Sequence, residues 1–356
     1  MDKYTNKLDF DFTTNQKILN LIGKIDLYKG KWNAIEKQEN IYLRELRKIA
    51  TIKSIGSSTR IEGATLTDNE IKELLNNVKI TELKTRDEQE VVGYYDTLEI
   101  IYENFYTIPL SENYIKQLHQ NLLQHSSKDD RHRGQYKSLS NKVVANYPGK
   151  IQKVIFNTTE VHLVQSEMND LVNWTNKQFE KNEIHPLIII GLFIYDFLSI
   201  HPFQDGNGRL SRLLTTLLLM KNDYLFIQYV SFENLIEQSK REYYQAIMEG
   251  QKNRYTENEN ISKWSIYFLD KLNILTQKLG GKYDVFKSKG GYLNERQKVI
   301  QQYIIDNQPL KISDIAKQFN KININTIKKD LQYMKKEKMI ESIGLGKGTV
   351  YIKNNQ

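Results

Sequence analysis

The chain has 356 residues, no cysteine, and 51 Lys and Arg against 43 Asp and Glu, a formal net charge of +8 at pH 7. That length suits two or three domains with sizeable cores, and the missing thiols exclude disulfides and cysteine-ligated metal centres. The basic balance keeps a nucleic-acid partner among the readings to test.

In chain order, Met1-Asp2-Lys3-Tyr4 lacks the basic-then-apolar pattern of a secretory leader. The first helical pattern places Leu43, Leu46, Ile49 and Ile52 on a packing face. Six residues later, Ser58 and Glu62 stand at i, i+4, so they share one face of a helix end, and Gly63 suits its C-cap. By itself this is also an ordinary helix end. Gly134-Gln135-Tyr136-Lys137 precedes Val143 to Val164, a stretch rich in Val, Ile and Thr with Pro148-Gly149 at a turn. It predicts a β-hairpin in an otherwise helical protein. Pro186 to Ile200 is almost wholly apolar with Pro in the first turn, the pattern of a buried helix. It is too short to span a membrane and is interrupted by Asp196, so the chain reads as cytoplasmic with no membrane partner. Arg209 to Met220 carries the leucine stripe of a second packed helix, with Leu210, Leu213, Leu214, Leu217 and Leu218.

Between those helices lies the most informative segment, His201-Pro202-Phe203-Gln204-Asp205-Gly206-Asn207-Gly208. Gly206 and Gly208 allow a sharp turn and close approach of a ligand to backbone. The N–H groups opening the next helix form a ready anion site. Arg209 and Arg212, at i, i+3, place two guanidinium forks beside it. Asp205 supplies a hard oxygen of the kind Mg²⁺ shares with phosphate. His201 is the one group in the loop with an ordinary pKa suited to a base near neutrality. Each feature alone also fits a plain connector, a solvated helix face or a packed histidine; together they favour a phosphate-handling site.

His201 to Arg212 resembles the Fic family signature, His-x-Phe-x-(Asp/Glu)-Gly-Asn-Gly-Arg-x-x-Arg, at every defined position. The resemblance implies a mainly α fold that transfers AMP from ATP to a hydroxyl side chain of a protein, the chain itself included, releasing pyrophosphate. His201 would deprotonate the target hydroxyl and Asp205 would hold Mg²⁺. Gly206, Asn207 and Gly208 would cradle the α- and β-phosphates, and Arg209 and Arg212 would meet the β- and γ-phosphates. Ser58 to Gly63 is similar to the family's inhibitory helix motif, (Ser/Thr)-x-x-x-Glu-(Gly/Asn), whose glutamate, here Glu62, would pair with Arg212 and deny it to the γ-phosphate. The 143–164 hairpin resembles the family's flap, which docks the target by strand addition. Tyr243 and Tyr244 resemble an element walling the adenine pocket, with Gln251 placed for the adenine edge. Aromatics on a helix are also common in cores.

At the C-terminus, Leu279-Gly280-Gly281 and Lys287 to Gly291 bracket an expected linker, where paired glycines interrupt the helical pattern. Beyond it, helices are expected over 294–307, 312–319 and 326–338, and a hairpin over 339–353. That order is similar to a winged helix. From Lys321 onward, eight lysines stand against three acidic residues, and Lys328, Lys329, Lys335, Lys336 and Lys338 lie on or near the candidate recognition helix. Such a helix can enter a DNA groove, while lysine is also the default solvated residue of this chain, and winged helices also serve as protein-binding or dimerisation modules.

The expected architecture is therefore mainly α: a helical N-terminal region over 1–110, a helical Fic core with a β-hairpin flap over 111–282, and a winged helix over 288–356. The expected function is a self-inhibited protein adenylyltransferase using ATP and Mg²⁺ and acting on a protein target. Removal of AMP from a modified protein and an ATP-sensing DNA-binding regulator are the rival readings. Self-association into a homodimer stays open.

Overall fold

The computed structural model describes residues 3–36, 41–78, 82–147, 151–288, 293–336, 339–344 and 346–354. The fold is mainly α, with 71% of it helical. The helices and hairpin run α1 (Lys3–Asn6), α2 (Phe12–Glu36), α3 (Ile41–Glu62), α4 (Asp68–Asn77), α5 (Arg86–Asn104), α6 (Glu112–Leu122), β1 (Lys142–Tyr147) and β2 (Ile151–Asn157). They continue with α7 (Val164–Lys181), α8 (Pro186–Ile200), α9 (Asn207–Lys221), α10 (Phe232–Gln238), α11 (Lys240–Gln251) and α12 (Ser262–Ser288). The last part is α13 (Glu295–Asn307), β3 (Leu310–Lys311), α14 (Ile312–Gln318), α15 (Ile324–Lys336), β4 (Ile340–Ile343) and β5 (Val350–Lys353). The chain divides into two compact units, residues 1–39 with 43–278, and residues 40–42 with 279–356. No helix among the described residues is long and apolar enough to cross a membrane.

In the larger unit the heart is α8 against α9. Every residue of α8 except Pro186 and Ile188 is buried, and α9 is buried from Arg209 to Met220. Each fully buried Leu or Ile here contributes roughly 1.5–3 kcal/mol of hydrophobic stabilisation, which is why the apolar runs override any local preference. Start and stop signals are local. Pro186 occupies the first turn of α8 and the His185 ring accepts the Leu187 N–H, while α4 and α5 begin with capping boxes at Thr67/Glu70 and Thr85/Glu88. Helix α8 ends where His201 turns left-handed at φ 54° and donates its N–H to the Phe197 carbonyl. Gly206, at φ 78°, then caps α9, so that helix starts at Asn207, two residues before the expected Arg209. Helices α5 and α6 touch at Gly93, where a Cβ would lie 2.2 Å from the Leu122 carbonyl oxygen.

Three expectations need correction. The strands end at Asn157, not Val164. Thr158 is held at the base of the hairpin, its hydroxyl taking Lys137 Nζ at 2.7 Å and donating to Asn141 Oδ1 at 2.6 Å, and a turn of 3₁₀ helix then leads into α7. The hairpin is antiparallel, with Lys142 opposite Asn157 and a register shift between Val143 and Val144; the expected turn at Pro148-Gly149 lies outside the described residues. Gly280-Gly281 does not break the chain, because α12 runs through both. Buried Leu272, Leu275 and Leu279 secure that helix against a cost of about 1 kcal/mol per glycine. Ile49 is 53% exposed, off the packing face that buries Leu43 and Leu46. Of the rest of the expected linker, residues 289–291 lie outside the described residues.

The smaller unit packs α13, α14 and α15 on a three-stranded sheet of order β3-β5-β4, both pairings antiparallel. Its core includes Ile300, Ile304, Ile315, Ile327, Leu331, Met334 and Ile340. Arg296 grips buried Asp330 with two hydrogen bonds, at 2.7 and 3.0 Å, tying α13 to α15. Helix α15 buries Ile327, Leu331 and Met334 and exposes Lys328, Lys329, Lys335 and Lys336; Lys338 lies outside the described residues.

Candidate active site

The α8–α9 loop opens onto a cleft of about 230 Å³, whose wall includes Glu62, His201, Asp205, Gly208, Arg212 and Tyr243. His201 points there from the end of α8. Its Nδ1 lies 3.2 Å from the Leu198 carbonyl, which can only accept, so Nδ1 carries the proton and Nε2 keeps a free lone pair. Burial, helped by the charge of Lys137, pushes the His201 pKa down to about 4. The ring is therefore neutral at physiological pH, the form a base requires.

The loop is stitched from below. Asn207 closes it with two bonds to Phe203, Oδ1 accepting the N–H at 2.9 Å and Nδ2 donating to the carbonyl at 2.7 Å. The Asn207 side chain is thus a staple, and what the residue presents to the cleft is backbone at the start of α9. His119, fully buried, accepts the Gly134 N–H at Nδ1 (2.9 Å) and faces the Asp205 carbonyl from Nε2 (3.0 Å). Those partners fix its neutral tautomer, and burial pushes its pKa down to about 4. Its ring stacks on Phe203 at 3.8 Å. Gly206 is required by its positive φ, a backbone conformation that a Cβ disfavours. Lys137 joins the hairpin base to the loop, its N–H donating to the Pro202 carbonyl at 2.8 Å and its ammonium to Asn141. Burial lowers that ammonium to about 8.

Asp205 is held by cations. Its Oδ1 accepts the Gly206 N–H at 2.6 Å and Arg209 at 3.3 Å, and its Oδ2 accepts Arg86 at 3.0 Å. Burial works to raise this carboxyl, but Arg209, the Gly206 amide and Arg86 outweigh it and keep it below the usual value. Arg209 is 1% exposed, lies outside the cleft wall and also faces Glu90 at 3.2 Å. It acts on the loop from beneath.

Arg212 is the arginine on the cleft. Its Nε donates to Ser58 Oγ at 2.7 Å, and its Nη2 donates to the Ser58 carbonyl at 2.9 Å and to Glu62 Oε1 at 2.8 Å. Burial alone would raise the Glu62 carboxyl; Arg212, Arg209 and Lys240 together hold it below its ordinary value, so it stays ionised. Glu62 ends α3, where Gly63 adopts φ 113° and Lys240 Nζ donates to the Ile61 carbonyl at 2.6 Å. A Cβ on Gly208 would meet Glu62 Oε1 at 2.2 Å, so the bare glycine gives the carboxylate its seat. Ser58 and Glu62 thus come to Arg212 across some 150 residues of sequence, while Gly63 only ends their helix.

Tyr243 and Tyr244 line the cleft with Leu198 and Ile247. Gln251 does not; its amide donates to Ser199 Oγ. Sequence reasoning missed Arg86, Glu90, His119, Lys142 and Lys240, none of which belongs to a motif. The one available hint was Arg86-x-x-x-Glu90, an ion-pair spacing on a helix. Among the described residues, no group of three or more His, Cys, Asp or Glu could hold a metal.

Residues 109–219 match the model of the Fic/DOC family. The chain is 30% identical over 224 residues to a protein of Drosophila grimshawi named Protein adenylyltransferase Fic, covering 60% of this chain and 43% of that one. It is 28% identical over 207 residues to the Drosophila willistoni protein of the same name, covering 57% and 38%. The matches span less than half the length of these curated relatives. A Fic family protein from Desulfovibrio desulfuricans G20, known from its crystal structure, shares the fold over 96% of both chains, at TM-score 0.65 and 21% identity. With its signature loop, and with these relatives, residues 109–219 of the chain form a domain of the Fic/DOC family.

Proposed function

We propose that the chain is a protein adenylyltransferase that restrains itself. The observation that carries this reading is the neutral His201, its free Nε2 fixed by the Leu198 carbonyl, in one cleft with Asp205 and the glycine-opened start of α9. The target hydroxyl would lose its proton to His201 as its oxygen attacks the α-phosphorus of ATP, and the bond to pyrophosphate would break. Catalysis would be positioning and charge stabilisation, with no covalent enzyme intermediate. Asp205 fits Mg²⁺, a single carboxylate one-third exposed beside an anion site, the pattern of a metal shared with substrate phosphates. When bound, the ion would neutralise phosphate charge. Backbone at Asn207 and Gly208 would meet the phosphates, with the Gly206 N–H kept on Asp205, Arg212 would meet the γ-phosphate, and Tyr243 and Tyr244 the base. Glu62, by occupying Arg212, would be the restraint.

Removal of AMP is a second reading, favoured by one contact. Glu62 is ionised and close enough to raise the His201 pKa by its charge, so the pair could orient a water. Incubation with ATP labelled at the α-phosphate separates the two: transfer leaves label on protein, most strongly in Glu62→Gly, and removal strips it from a labelled target only while Glu62 is present. We read the smaller unit as a winged helix, supported by its α-β-α-α-β-β order and the exposed lysines of α15.

A further inference from the structure

Asp205 sits in a ring of four charges. Arg86 Nη2 reaches Asp205 Oδ2 at 3.0 Å, Arg86 Nε reaches Glu90 Oε1 at 2.7 Å, Glu90 Oε2 faces Arg209 Nη1 at 3.2 Å, and Arg209 Nη2 returns to Asp205 Oδ1 at 3.3 Å. Two cations balance two anions. A dication bound at Asp205 would meet a carboxylate whose charge is already matched, with two guanidinium groups beside it.

One cation can leave. Arg209 is 1% exposed and enclosed by the fold, whereas the Arg86 side chain is 51% exposed at the first turn of α5. Its planar guanidinium moves as one unit, and being open to solvent it can swing off Asp205, loosening its bond to Glu90 as it goes. With Nη2 withdrawn, Asp205 keeps only Arg209 and the Gly206 amide and presents Oδ2 outward, the single hard oxygen that suits a phosphate-shared Mg²⁺.

We propose that Arg86 gates the metal position: its guanidinium closes Asp205 at rest and withdraws when a divalent cation arrives with the nucleotide. This rests on the reading of Asp205 as metal ligand given above. Arg86 would then set the cation concentration at which the site loads, through a contact separate from the Glu62–Arg212 pair. It is a positioning residue, acting through Asp205.

The test is calorimetric titration of Mg²⁺ into the full chain saturated with α,β-methylene-ATP, comparing Glu62→Gly with the same chain carrying Arg86→Ala, Arg86→Lys or Asp205→Asn. Removing an exposed competitor of this kind should tighten Mg²⁺ binding about fivefold in Arg86→Ala, with Arg86→Lys in between. Affinity for the analogue in EDTA should not change, and thermal melting checks that each variant folds. If Arg86→Ala binds Mg²⁺ no more tightly while Asp205→Asn loses it, the gate is wrong and Asp205 keeps its role. If Asp205→Asn binds Mg²⁺ as the parent does, the metal assignment fails and the gate with it.

Discussion

Replacing Glu62 with glycine removes one of three contacts on Arg212 and leaves both bonds to Ser58 in place. The lost bond runs between two charged groups at 2.8 Å, with Arg212 3% and Glu62 34% exposed. A hydrogen bond to a charged group contributes roughly 1.5–3 kcal/mol, and water at the exposed end of Glu62 screens it toward the low end. A restraint of about 1.4 kcal/mol corresponds to tenfold in rate. Labelling of protein by ATP carrying a labelled α-phosphate should therefore rise at least about tenfold in Glu62→Gly. Glu62→Gln, which keeps the shape and loses the charge, should fall between. Glycine at the end of α3 costs about 0.5–1 kcal/mol of stability, so a slightly lower melting temperature is expected and does not count against the idea. A second change at His201 should suppress the gain. If folded, ATP-binding Glu62→Gly labels no faster than the parent, the Glu62–Arg212 contact is not the restraint.

His201→Ala should lower transfer by roughly 10²–10⁴-fold; His201→Asn, which better tolerates the left-handed backbone at φ 54°, should lose as much, and undiminished labelling by either excludes His201 as base. Asp205→Ala should weaken use of Mg²⁺-ATP and Arg209→Ala should weaken nucleotide binding by loosening the loop, and calorimetry showing unchanged affinity in both would contradict these roles. With His201 titrating at about 4, the acidic limb of the pH–rate profile should fall near that value and not near 6.5. Because His119 and His201 are both lowered from 6.5 to about 4 on folding, the unfolded chain takes up protons first, so stability should be full above about pH 6.5 and decline toward pH 4; a flat melting temperature across that window would refute the buried neutral assignment. If α15 binds duplex DNA, affinity of the full chain should drop steeply with salt and with Lys328→Glu and Lys329→Glu together; no gel shift at low salt would instead favour a protein-contact role.

Much of this site is legible in one dimension because its loop is contiguous. The apolar runs of α8 and α9, the glycines between them and the Arg209/Arg212 spacing are local patterns whose periodicity dictates which way each side chain faces. Ser58 and Glu62 are readable for the same reason, as two residues on one face of a helix end. What tertiary structure decided is which groups meet across distance and which face inward. Arg86 and Glu90 reach Asp205 and Arg209 from a helix some 120 residues earlier, and His119 supports the loop from 86 residues away; an ordinary helical ion pair and a lone histidine carry no local mark of such a partner. The Asn207 side chain turns in to staple Phe203, and Arg209 is sealed beneath the loop, because a buried backbone and a buried carboxylate each need a partner more than the cleft does. Gly280-Gly281 stays helical because burial of the leucines on α12 outweighs the backbone entropy two glycines lose.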